Sequence, residues 1–374
     1  MSSKHPTDIV VLGERSYPVL VEEAGFDRAG ALLGPYSRGS RIVVVTDRNV
    51  FQAQGARFAA GLERGGITAD GIVIEPGEAS KDWSHLARLI DDLLARGVER
   101  GDHIVALGGG VVGDLTGFAA SILKRGCGII QVPTTLLAMV DSAVGGKTGI
   151  NVPGGKNMVG TFHQPSLVLV DPSALDTLPE RELRAGYAEV LKYGLIGDPA
   201  FFAWCEANGP ALLSGDATAR EHAVMTCVAA KAAIVAQDER ETSGRRALLN
   251  LGHSFGHALE AAGGYSDRLL HGEAVAVGTC LAFLFSAGRG LCQPEDAARV
   301  IAHLKRAGLP TSIEETGVDA SPADLVQLML RDKKASGGAL TLILVRGIGA
   351  AFVERDINPE EVTTFLEAIR APRG

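Results

Sequence analysis

The strongest constraint on the fold is an alternation, along the first 170 residues, between short β-branched runs and Ala/Leu/Arg-rich stretches. The β-branched runs lie at residues 41–46, 71–75, 103–107, 129–132 and 166–170. Residues 86–94 carry leucine and isoleucine at helical spacing with charged residues between them, which predicts an amphipathic helix. Strands that alternate with helices in this way are typical of βαβ units, so the sequence predicts a parallel sheet.

Beyond Pro179 the pattern changes to long Ala/Leu/Glu segments. We predict helices at residues 187–193, 218–237, 247–262 and 273–286, two short strands at 340–345 and 351–354, and a final helix from Pro359. A length of 374 residues suits two domains rather than one. We therefore expect an α/β domain over residues 1–179 and a mainly α-helical domain over residues 180–374.

Composition and charge argue against several classes of protein. Lys plus Arg number 36 and Asp plus Glu number 44, a net charge of −8, which does not suit a broad nucleic-acid surface. The longest stretches without a charged residue, 126–140 and 274–288, are shorter than the roughly 20 residues that span a membrane. The first residues lack the apolar segment of a secretory signal, so we expect a cytoplasmic protein. The five cysteines form no C-x-x-C pair and are expected to be reduced.

A glycine-rich loop follows the strand predicted at 103–107. Gly108, Gly110 and Gly113 have G-x-G-x-x-G spacing, and backbone amides at the helix N-terminus of such a loop bind pyrophosphate. The usual fingerprint places an acidic ribose ligand about 20 residues later, where this chain has Gln-Val-Pro-Thr at 131–134. Asp47, after an earlier strand of the same sheet, is the alternative acid. The glycines alone fit a tight structural turn equally well.

Polar segments follow other predicted strands too. They are Gly-Glu-Ala-Ser-Lys at 77–81 and Pro-Thr-Thr at 133–135. Because ligands bind at the carboxyl ends of parallel strands, we expect these segments to meet the glycine loop at one crevice. This convergence favours a dinucleotide site over a purely structural turn.

A group of histidines in the second half suggests a metal site. His253 and His257 are four residues apart and share a helical face, His271 begins a predicted helix, and Glu189 lies within another. Three His and Glu ligands with one open position are the pattern of a catalytic zinc site. Alternatively, these histidines cap helices or pair with Glu260 and Glu273. The spacing alone does not decide which three residues coordinate a metal.

Basic residues suggest an anion pocket in this acidic chain. Lys147 and Lys156 flank residues 148–155, a turn-rich stretch with too many glycines for a helix or a core strand. Lysines beside flexible glycines suit phosphate or carboxylate groups. Further candidates, each of which could singly be a solvated surface charge, are Arg125, Lys192, Lys231, Arg246, Lys333 and Lys334.

Several blocks in a fixed order carry a family resemblance. They are Gly-Gly-Gly-Val-Val-Gly-Asp at 108–114, Pro-Thr-Thr-Leu-Leu-Ala-Met-Val-Asp-Ser at 133–142, Gly-Gly-Lys-Thr at 145–148, Lys-Asn at 156–157 and Asn-Leu-Gly-His-Ser-Phe-Gly-His-Ala-Leu-Glu-Ala at 250–261. Together they resemble the 3-dehydroquinate synthase family of sugar-phosphate cyclases. The resemblance implies a Rossmann-like NAD-binding domain over 1–179, a helical metal- and substrate-binding domain over 180–374, a site in the cleft between them, and a homodimer.

The resemblance also assigns residues. Zinc or cobalt would be held by Glu189, His253 and His271, which leaves His257 on the substrate side. NAD would be held by Asp47, Glu78, Lys81, Gly110, Val111, Val112, Gly113, Asp114, Thr134, Thr135, Asp141, Lys147, Lys156, Ala174, Leu175, Asp176 and Thr177. The sugar phosphate would meet Arg125, from across the dimer, together with Lys147, Asn157, Lys192, Lys231, Arg246, Asn250, His257 and Lys334 or its neighbour Lys333. Arg245 is an alternative to Arg246.

The implied reaction converts 3-deoxy-D-arabino-heptulosonate 7-phosphate into 3-dehydroquinate and phosphate, a step of the shikimate route to aromatic amino acids. It combines transient oxidation by NAD, phosphate elimination, reduction and an internal aldol closure. The alternatives are a sister cyclase that makes deoxy-scyllo-inosose or epi-valiolone, a metal-dependent polyol dehydrogenase, or a non-enzymatic protein that kept the fold. Arg246, Asn250 and His257 match the dehydroquinate pattern and favour a substrate with a carboxylate.

Overall fold

The computed structural model describes residues 7–242, 244–332 and 339–370. Within it the chain forms two compact units. Unit 1 extends to Leu183 and includes Ser214–Arg240, and unit 2 consists of Arg184–Leu213 and the chain from Glu241 onward. A mostly parallel sheet in unit 1 and a mainly helical unit 2 confirm the predicted fold class.

Unit 1 is built around a β-sheet. Its strands are β1 (Thr7–Val10), β2 (Tyr17–Val21), β3 (Arg41–Asp47), β4 (Thr68–Ile74), β5 (His103–Gly108), β6 (Gly128–Pro133), β7 (Lys147–Val152), β8 (Gly155–Phe162) and β9 (Leu167–Val170). Seven of them form one sheet in the order β1-β2-β9-β6-β5-β3-β4, in which only β1 and β2 pair antiparallel. β7 and β8 form a separate antiparallel hairpin.

Helices connect the strands of unit 1. They are α1 (Ala29–Leu33), α2 (Arg48–Val50), α3 (Ala56–Arg64), α4 (Trp83–Ala95) and α5 (Gly110–Ile122), with a π-helical turn between α2 and α3. α6 (Glu180–Gly197) crosses into unit 2 after Leu183, and α7 (Pro199–Ser214) follows there. α8 (Ala217–Gln237) belongs to unit 1, where it packs against β1 and β2.

The core of unit 1 explains why these strands form. Successive residues of β5, β6 and β9 are buried, which is the pattern of parallel strands covered on both faces. Val45 and Ala106 of the sheet pack in one cluster with Leu86 and Leu89 of α4 and with Leu115 of α5. The sheet therefore forms a rigid base whose carboxyl-end loops can position ligands.

Unit 2 is mainly helical. Its further elements are α9 (His253–Ala262), α10 (His271–Gly288), α11 (Pro294–Arg306), α12 (Pro322–Asp332), β10 (Leu340–Val345), β11 (Ala351–Ile357) and α13 (Pro359–Arg370). β10 and β11 form an antiparallel pair. By length and composition α10 could cross a membrane, but 72% of that segment is buried within the protein, as in a core helix.

The stretch 148–155 differs from its prediction. Residues 147–152 and 155–162 form the β7–β8 hairpin, and Ile150 is fully buried. The glycines permit the pairing because the two backbones approach closely: a Cβ atom at Gly160 would lie 1.9 Å from the Thr148 carbonyl oxygen. The expectation that glycine excludes a strand here is therefore wrong, since close backbone approach is itself a reason for glycine.

The helix predicted at 247–262 is interrupted. Arg246–Asn250 forms a 3-10 turn, and α9 begins only at His253. Gly252 separates them with φ +80°, and a Cβ atom there would lie 2.5 Å from Thr279 Oγ1. The break follows from this left-handed glycine, which periodicity alone did not identify as a helix boundary.

The predicted division at residues 179 and 180 is a single boundary. In the structure the chain first passes from unit 1 to unit 2 after Leu183. It then returns to unit 1 for Ser214–Arg240, which contains α8. Ala223, Val224 and Val228 on α8 are fully buried in unit 1. A helical pattern does not reveal which core a helix joins, so sequence periodicity could not place α8.

Candidate active site

The glycine loop lies at the carboxyl end of β5. Gly109 is the N-cap of α5 and offers no side-chain acceptor to the first amides of the helix. A Cβ atom at Gly108 would lie 2.5 Å from Val112, and one at Gly113 would lie 2.8 Å from Gln131 Oε1. The glycines let α5 start close to the sheet and leave a cradle of backbone amides that fits a pyrophosphate.

Other predicted NAD residues lie at the same sheet edge. β3, β4, β5, β6 and β9 are parallel, so the segments after their carboxyl ends share one side. These segments carry Asp47, Glu78, Lys81, the loop residues Gly110, Val111, Val112, Gly113 and Asp114, then Thr134, Thr135 and Ala174, Leu175, Asp176 and Thr177. Asp47 caps α2 by accepting hydrogen bonds from the amides of Asn49 (2.8 Å) and Val50 (3.0 Å).

A buried lysine organises the centre of this edge. Lys81 is 3% exposed, and its Nζ donates to Asp114 Oδ2 (2.5 Å) and to Asn157 Oδ1. Burial raises the pKa of Asp114, and the Lys81 ammonium opposes that effect. Asn157 adopts φ +54°, so the contact with Lys81 holds a strained residue in place. The structure thus brings Lys81 and Asp114, which the resemblance assigned to NAD, together with Asn157, which it assigned to the substrate.

Asn151 joins the same network and is missing from the prediction. Its Nδ2 donates to Glu78 Oε1 (2.8 Å), and its Oδ1 accepts from the Asn157 amide (2.9 Å). An asparagine between glycines and proline suggested only a turn, so no sequence signal marked it. Asn151 connects the β7–β8 hairpin to the loop after β4 and fixes Glu78.

A second lysine of unit 1 meets a predicted NAD residue. Lys231 of α8, 5% exposed, donates to Asp141 Oδ1 and to its backbone oxygen, both at 2.5 Å. Arg220, also on α8, binds Asp176 Oδ1 (2.5 Å). α8 therefore supplies two cations to loops at the carboxyl edge of the sheet.

Three side chains of unit 2 form a candidate metal centre. The ligand atoms of Glu189 on α6, His253 on α9 and His271 on α10 all lie within 4.8 Å of one another. The Nε2 atoms of His253 and His271 are 3.5 and 3.7 Å from Glu189 Oε1. This is the set that the resemblance assigned to the metal, and two imidazoles with one carboxylate suit a divalent zinc-type ion.

The protonation of this group suits a metal. Burial, followed by the Lys192 ammonium, holds the pKa of His253 well below its ordinary value of 6.5, so the imidazole is neutral as a ligand must be. Both carboxylate oxygens of Glu189 are buried and accept no hydrogen bond from the described residues. Lys192 forms an ion pair with Glu189, which offsets part of the cost of burying that charge.

Glycines allow the three ligand helices to pack closely. A Cβ atom at Gly272 of α10 would lie 1.9 Å from the Ala185 carbonyl oxygen of α6. One at Gly278 would lie 2.0 Å from the Gly252 carbonyl oxygen, immediately before α9. These contacts set the helix spacing that brings His271 to Glu189 and to His253.

The other predicted substrate residues of unit 2 lie near this centre or on the segment before α9. His257 is half-buried, with its ring centroid 5.4 Å from that of His253 and 5.9 Å from that of His271. Arg246 is 2% exposed with Nε 3.5 Å from Glu241 Oε1, whereas Arg245 is exposed. Asn250 is half-buried at the end of the 3-10 turn.

Not every predicted residue joins these groups. Lys333 and Lys334 lie outside the described residues. Lys147, at the start of β7, is exposed, and Lys156 of β8 is half-buried. Arg125 is exposed and lies three residues before the start of β6, so it lies at the sheet edge opposite the glycine loop. Across the six residues of β6, these edges are roughly 20 Å apart.

Comparisons with known proteins agree over nearly the whole chain. Two family models match it, 3-dehydroquinate synthase N-terminal over residues 71–185 and 3-dehydroquinate synthase C-terminal over residues 186–335. The 3-dehydroquinate synthase of Zymomonas mobilis is 54% identical over 372 residues, covering 100% of this chain and 98% of that protein. The enzyme of the same name from Caulobacter vibrioides is 55% identical over 362 residues, with 96% and 97% covered.

A solved structure has the same architecture. A 2-epi-5-epi-valiolone synthase from Streptomyces hygroscopicus subsp. jinggangensis, with NAD+ and Zn2+ bound, superposes with a TM-score of 0.87 at 31% identity over 96% of this chain and 98% of that one. Identity is thus much higher to the dehydroquinate synthases than to this sister cyclase. With adjoining models across both units and relatives that align from end to end, the chain belongs to the 3-dehydroquinate synthase family.

Proposed function

We propose that this chain converts 3-deoxy-D-arabino-heptulosonate 7-phosphate into 3-dehydroquinate and inorganic phosphate. The observation that carries the proposal is the 54% identity to a 3-dehydroquinate synthase over 372 of the 374 residues of this chain. The product places the reaction in the shikimate route to aromatic amino acids. A small sugar phosphate is the substrate.

NAD is the proposed cofactor of unit 1. The uncapped amides of α5 would hold its pyrophosphate. The segments after the parallel strands, together with Lys147 and Lys156 of the β7–β8 hairpin, are proposed to make the other contacts that the resemblance assigns. Asp47 is the acid proposed for a ribose hydroxyl, in place of the acid that the usual fingerprint has after the second strand. Lys81 fixes Asp114 directly beside the amide cradle.

One divalent ion, zinc or cobalt, is the proposed metal of unit 2. Glu189, His253 and His271 would hold it, because their ligand atoms converge and the Glu189 oxygens accept no hydrogen bond from the described residues, although Oε2 also forms the ion pair with Lys192. When bound, NAD supplies a reversible hydride acceptor and the metal supplies a Lewis acid at the hydroxyl that is oxidised.

The chain's own residues bind the anions and move protons. Lys147, Lys192, Lys231 and Asn157 are proposed to hold the phosphate and hydroxyl groups, joined by Lys334 or its neighbour. Arg246 and Asn250 are proposed to bind the carboxylate, since a buried guanidinium suits a planar anion. His257, beside the ligand histidines, is proposed to transfer a proton and to stabilise the charge that develops as phosphate leaves.

Phosphate release tests the proposal. The protein would be incubated with 3-deoxy-D-arabino-heptulosonate 7-phosphate, substoichiometric NAD and zinc or cobalt, while nicotinamide absorbance is followed. We expect many phosphates per NAD and no accumulation of NADH, because the hydride returns within each turnover. R246A should lose most of its kcat/KM, whereas R245A, the matched variant at an exposed neighbour, should keep it.

Other outcomes would support different functions. Net NADH formation from a polyol would indicate a dehydrogenase. Phosphate release only from a sugar phosphate that lacks a carboxylate would indicate a sister cyclase. Binding of NAD and metal without turnover of either substrate would indicate a protein that kept the fold and lost the reaction.

We further propose a cytoplasmic homodimer. Support for the dimer comes from Arg125, which lies at the sheet edge away from the glycine loop of its own unit and would act on the partner's substrate. Light scattering after size exclusion would measure the mass. A monomeric, fully active enzyme would contradict both the dimer and the role of Arg125 across it.

A further inference from the structure

Glu260 is a buried carboxylate on α9 that no step above uses. It follows His253 by seven residues, two helical turns, so both side chains lie on one face of α9. The Glu260 side chain is 2% exposed, and its Oε2 lies 3.0 Å from His271 Nδ1. A buried carboxylate is costly without a partner, and this contact supplies one.

The two ligand histidines are held in the same manner. His253 Nδ1 lies 3.1 Å from the Leu251 carbonyl oxygen, which can only accept, so Nδ1 carries the hydrogen. An ionised Glu260 can also only accept, which places the hydrogen of His271 on Nδ1. Both Nε2 atoms therefore present lone pairs, and both are less than 4 Å from Glu189 Oε1.

We propose that Glu260 is a positioning residue that fixes His271 as the Nδ1–H tautomer and aims its Nε2 atom at the divalent metal. The proposal rests on the metal centre proposed above and extends it by one residue. A carboxylate on the far nitrogen also makes the imidazole a stronger ligand, because it shares the positive charge that metal binding induces. Leu251 provides only a neutral carbonyl for His253, so His271 is the ligand with the charged support.

A second use of the same atoms has to be weighed. His257, Glu260 and His271 also have ligand atoms within 4.8 Å of one another and could hold a metal themselves. The His271 nitrogen beside Glu260 is Nδ1, and its lone pair is unavailable to a metal while that nitrogen donates to Glu260. The geometry therefore favours one metal per chain, bound by the Glu189 set.

The experiment compares metal binding of the apoprotein and its variants by Co2+ titration against a competing chelator. E260M has similar volume but carries only an uncharged, weakly accepting thioether, and E260A, which has no acceptor, is the second variant should methionine not fit. We expect either to bind Co2+ 10- to 100-fold more weakly, with an altered visible absorption spectrum. E260Q retains an acceptor oxygen and should stay within about 10-fold of the wild type.

E273A is the matched control. Glu273 Oε2 accepts a hydrogen bond from the Leu270 amide at the start of α10, so its loss weakens the helix end that carries His271 but leaves the carboxylate of Glu260 in place beside Nδ1. E273A should keep the wild-type Co2+ affinity and spectrum. Circular dichroism and the urea midpoint would show that each variant is folded.

Specific results would overturn the inference. Wild-type affinity and spectrum in folded E260M or E260A would mean that Glu260 does not orient the ligand. Two Co2+ ions in the wild type and one in those variants would make Glu260 a ligand of a second site. A wild-type protein that binds no Co2+ would instead overturn the metal centre itself, so the two failures are distinguishable.

Discussion

The Glu189 carboxylate is the residue on which the metal centre most depends. It is fully buried at the junction of three helices, and a buried charge without a partner is strongly destabilising. The Lys192 ammonium pairs with Glu189 Oε2 and offsets part of that cost, and the imidazoles of His253 and His271 face the other oxygen, Oε1. Such an electron-rich pocket with few hydrogen-bond donors is suited to a cation.

Truncation of one ligand tests this directly. H271A is expected to lose bound zinc or cobalt and more than 99% of turnover, roughly the loss of a whole catalytic group, while remaining folded. The His271 side chain is 30% exposed at the start of α10, so its removal leaves little empty core. Metal content after dialysis, activity and circular dichroism are the measurements. H222A removes an exposed histidine from α8 and should change none of them; stoichiometric metal in H271A would contradict the assignment.

At the scale of elements, glycine contacts decide how closely α9 and α10 pack. G278A would place a Cβ atom 2.0 Å from the Gly252 carbonyl oxygen, a backbone atom that cannot move aside. We expect destabilisation at the upper end of the roughly 1–3 kcal/mol typical of overpacking, and weaker metal binding. G288A, at the end of the same helix with no atom within 4 Å, should leave stability unchanged or raise it by up to about 1 kcal/mol.

Urea unfolding and Co2+ titration of the two variants provide the readouts. An equal effect of G278A and G288A on the urea midpoint would show that helix spacing does not limit stability. Unchanged metal affinity in a destabilised G278A would separate the packing of α10 from the geometry of the ligands. Either result would mean that the glycine contacts do not determine the geometry of the metal site.

The same elements show what sequence can predict. The parallel strands are predictable because burial on both faces leaves uninterrupted apolar runs, as in β9. β2 contains Pro18, a residue that argues against a strand when only the sequence is known, and β7–β8 is rich in glycine, so neither hairpin was predicted. The spacing of the histidines in α9 could be recognised from the sequence. The approach of Glu189 from α6 could not, because it depends on helix packing that residue spacing does not encode.

At the scale of the whole molecule, stability at acid pH depends on histidines buried in their neutral form. His303 on α11 is 3% exposed, and its Nε2 atom lies 3.0 Å from the Tyr187 hydroxyl, which donates to the Cys205 carbonyl oxygen. Burial lowers the pKa of His303 from 6.5 to about 4; Arg306 and Arg299 add to the shift, and Glu206 opposes it. The folded protein therefore resists protonation where the unfolded chain accepts it.

The sign of the pH effect follows from this difference. Well above pH 6.5, His303 is neutral in both the folded and the unfolded state, so it adds no pH dependence to the free energy of unfolding. Between pH 6.5 and about 4 only the unfolded chain binds the proton, so the free energy of unfolding decreases as the pH decreases.

H303Q tests this effect, because glutamine can still donate a hydrogen bond to Tyr187 but does not titrate. Its free energy of unfolding, measured in urea, should decrease less than that of the wild type between pH 7.5 and 5. His253 is buried and neutral in both the wild type and H303Q, so the free energy of unfolding of H303Q still decreases somewhat as the pH falls. H222Q, which changes an exposed histidine, is the control and should behave as wild type. If the free energy of unfolding of H303Q depends on pH as steeply as that of the wild type, His303 is not the group responsible.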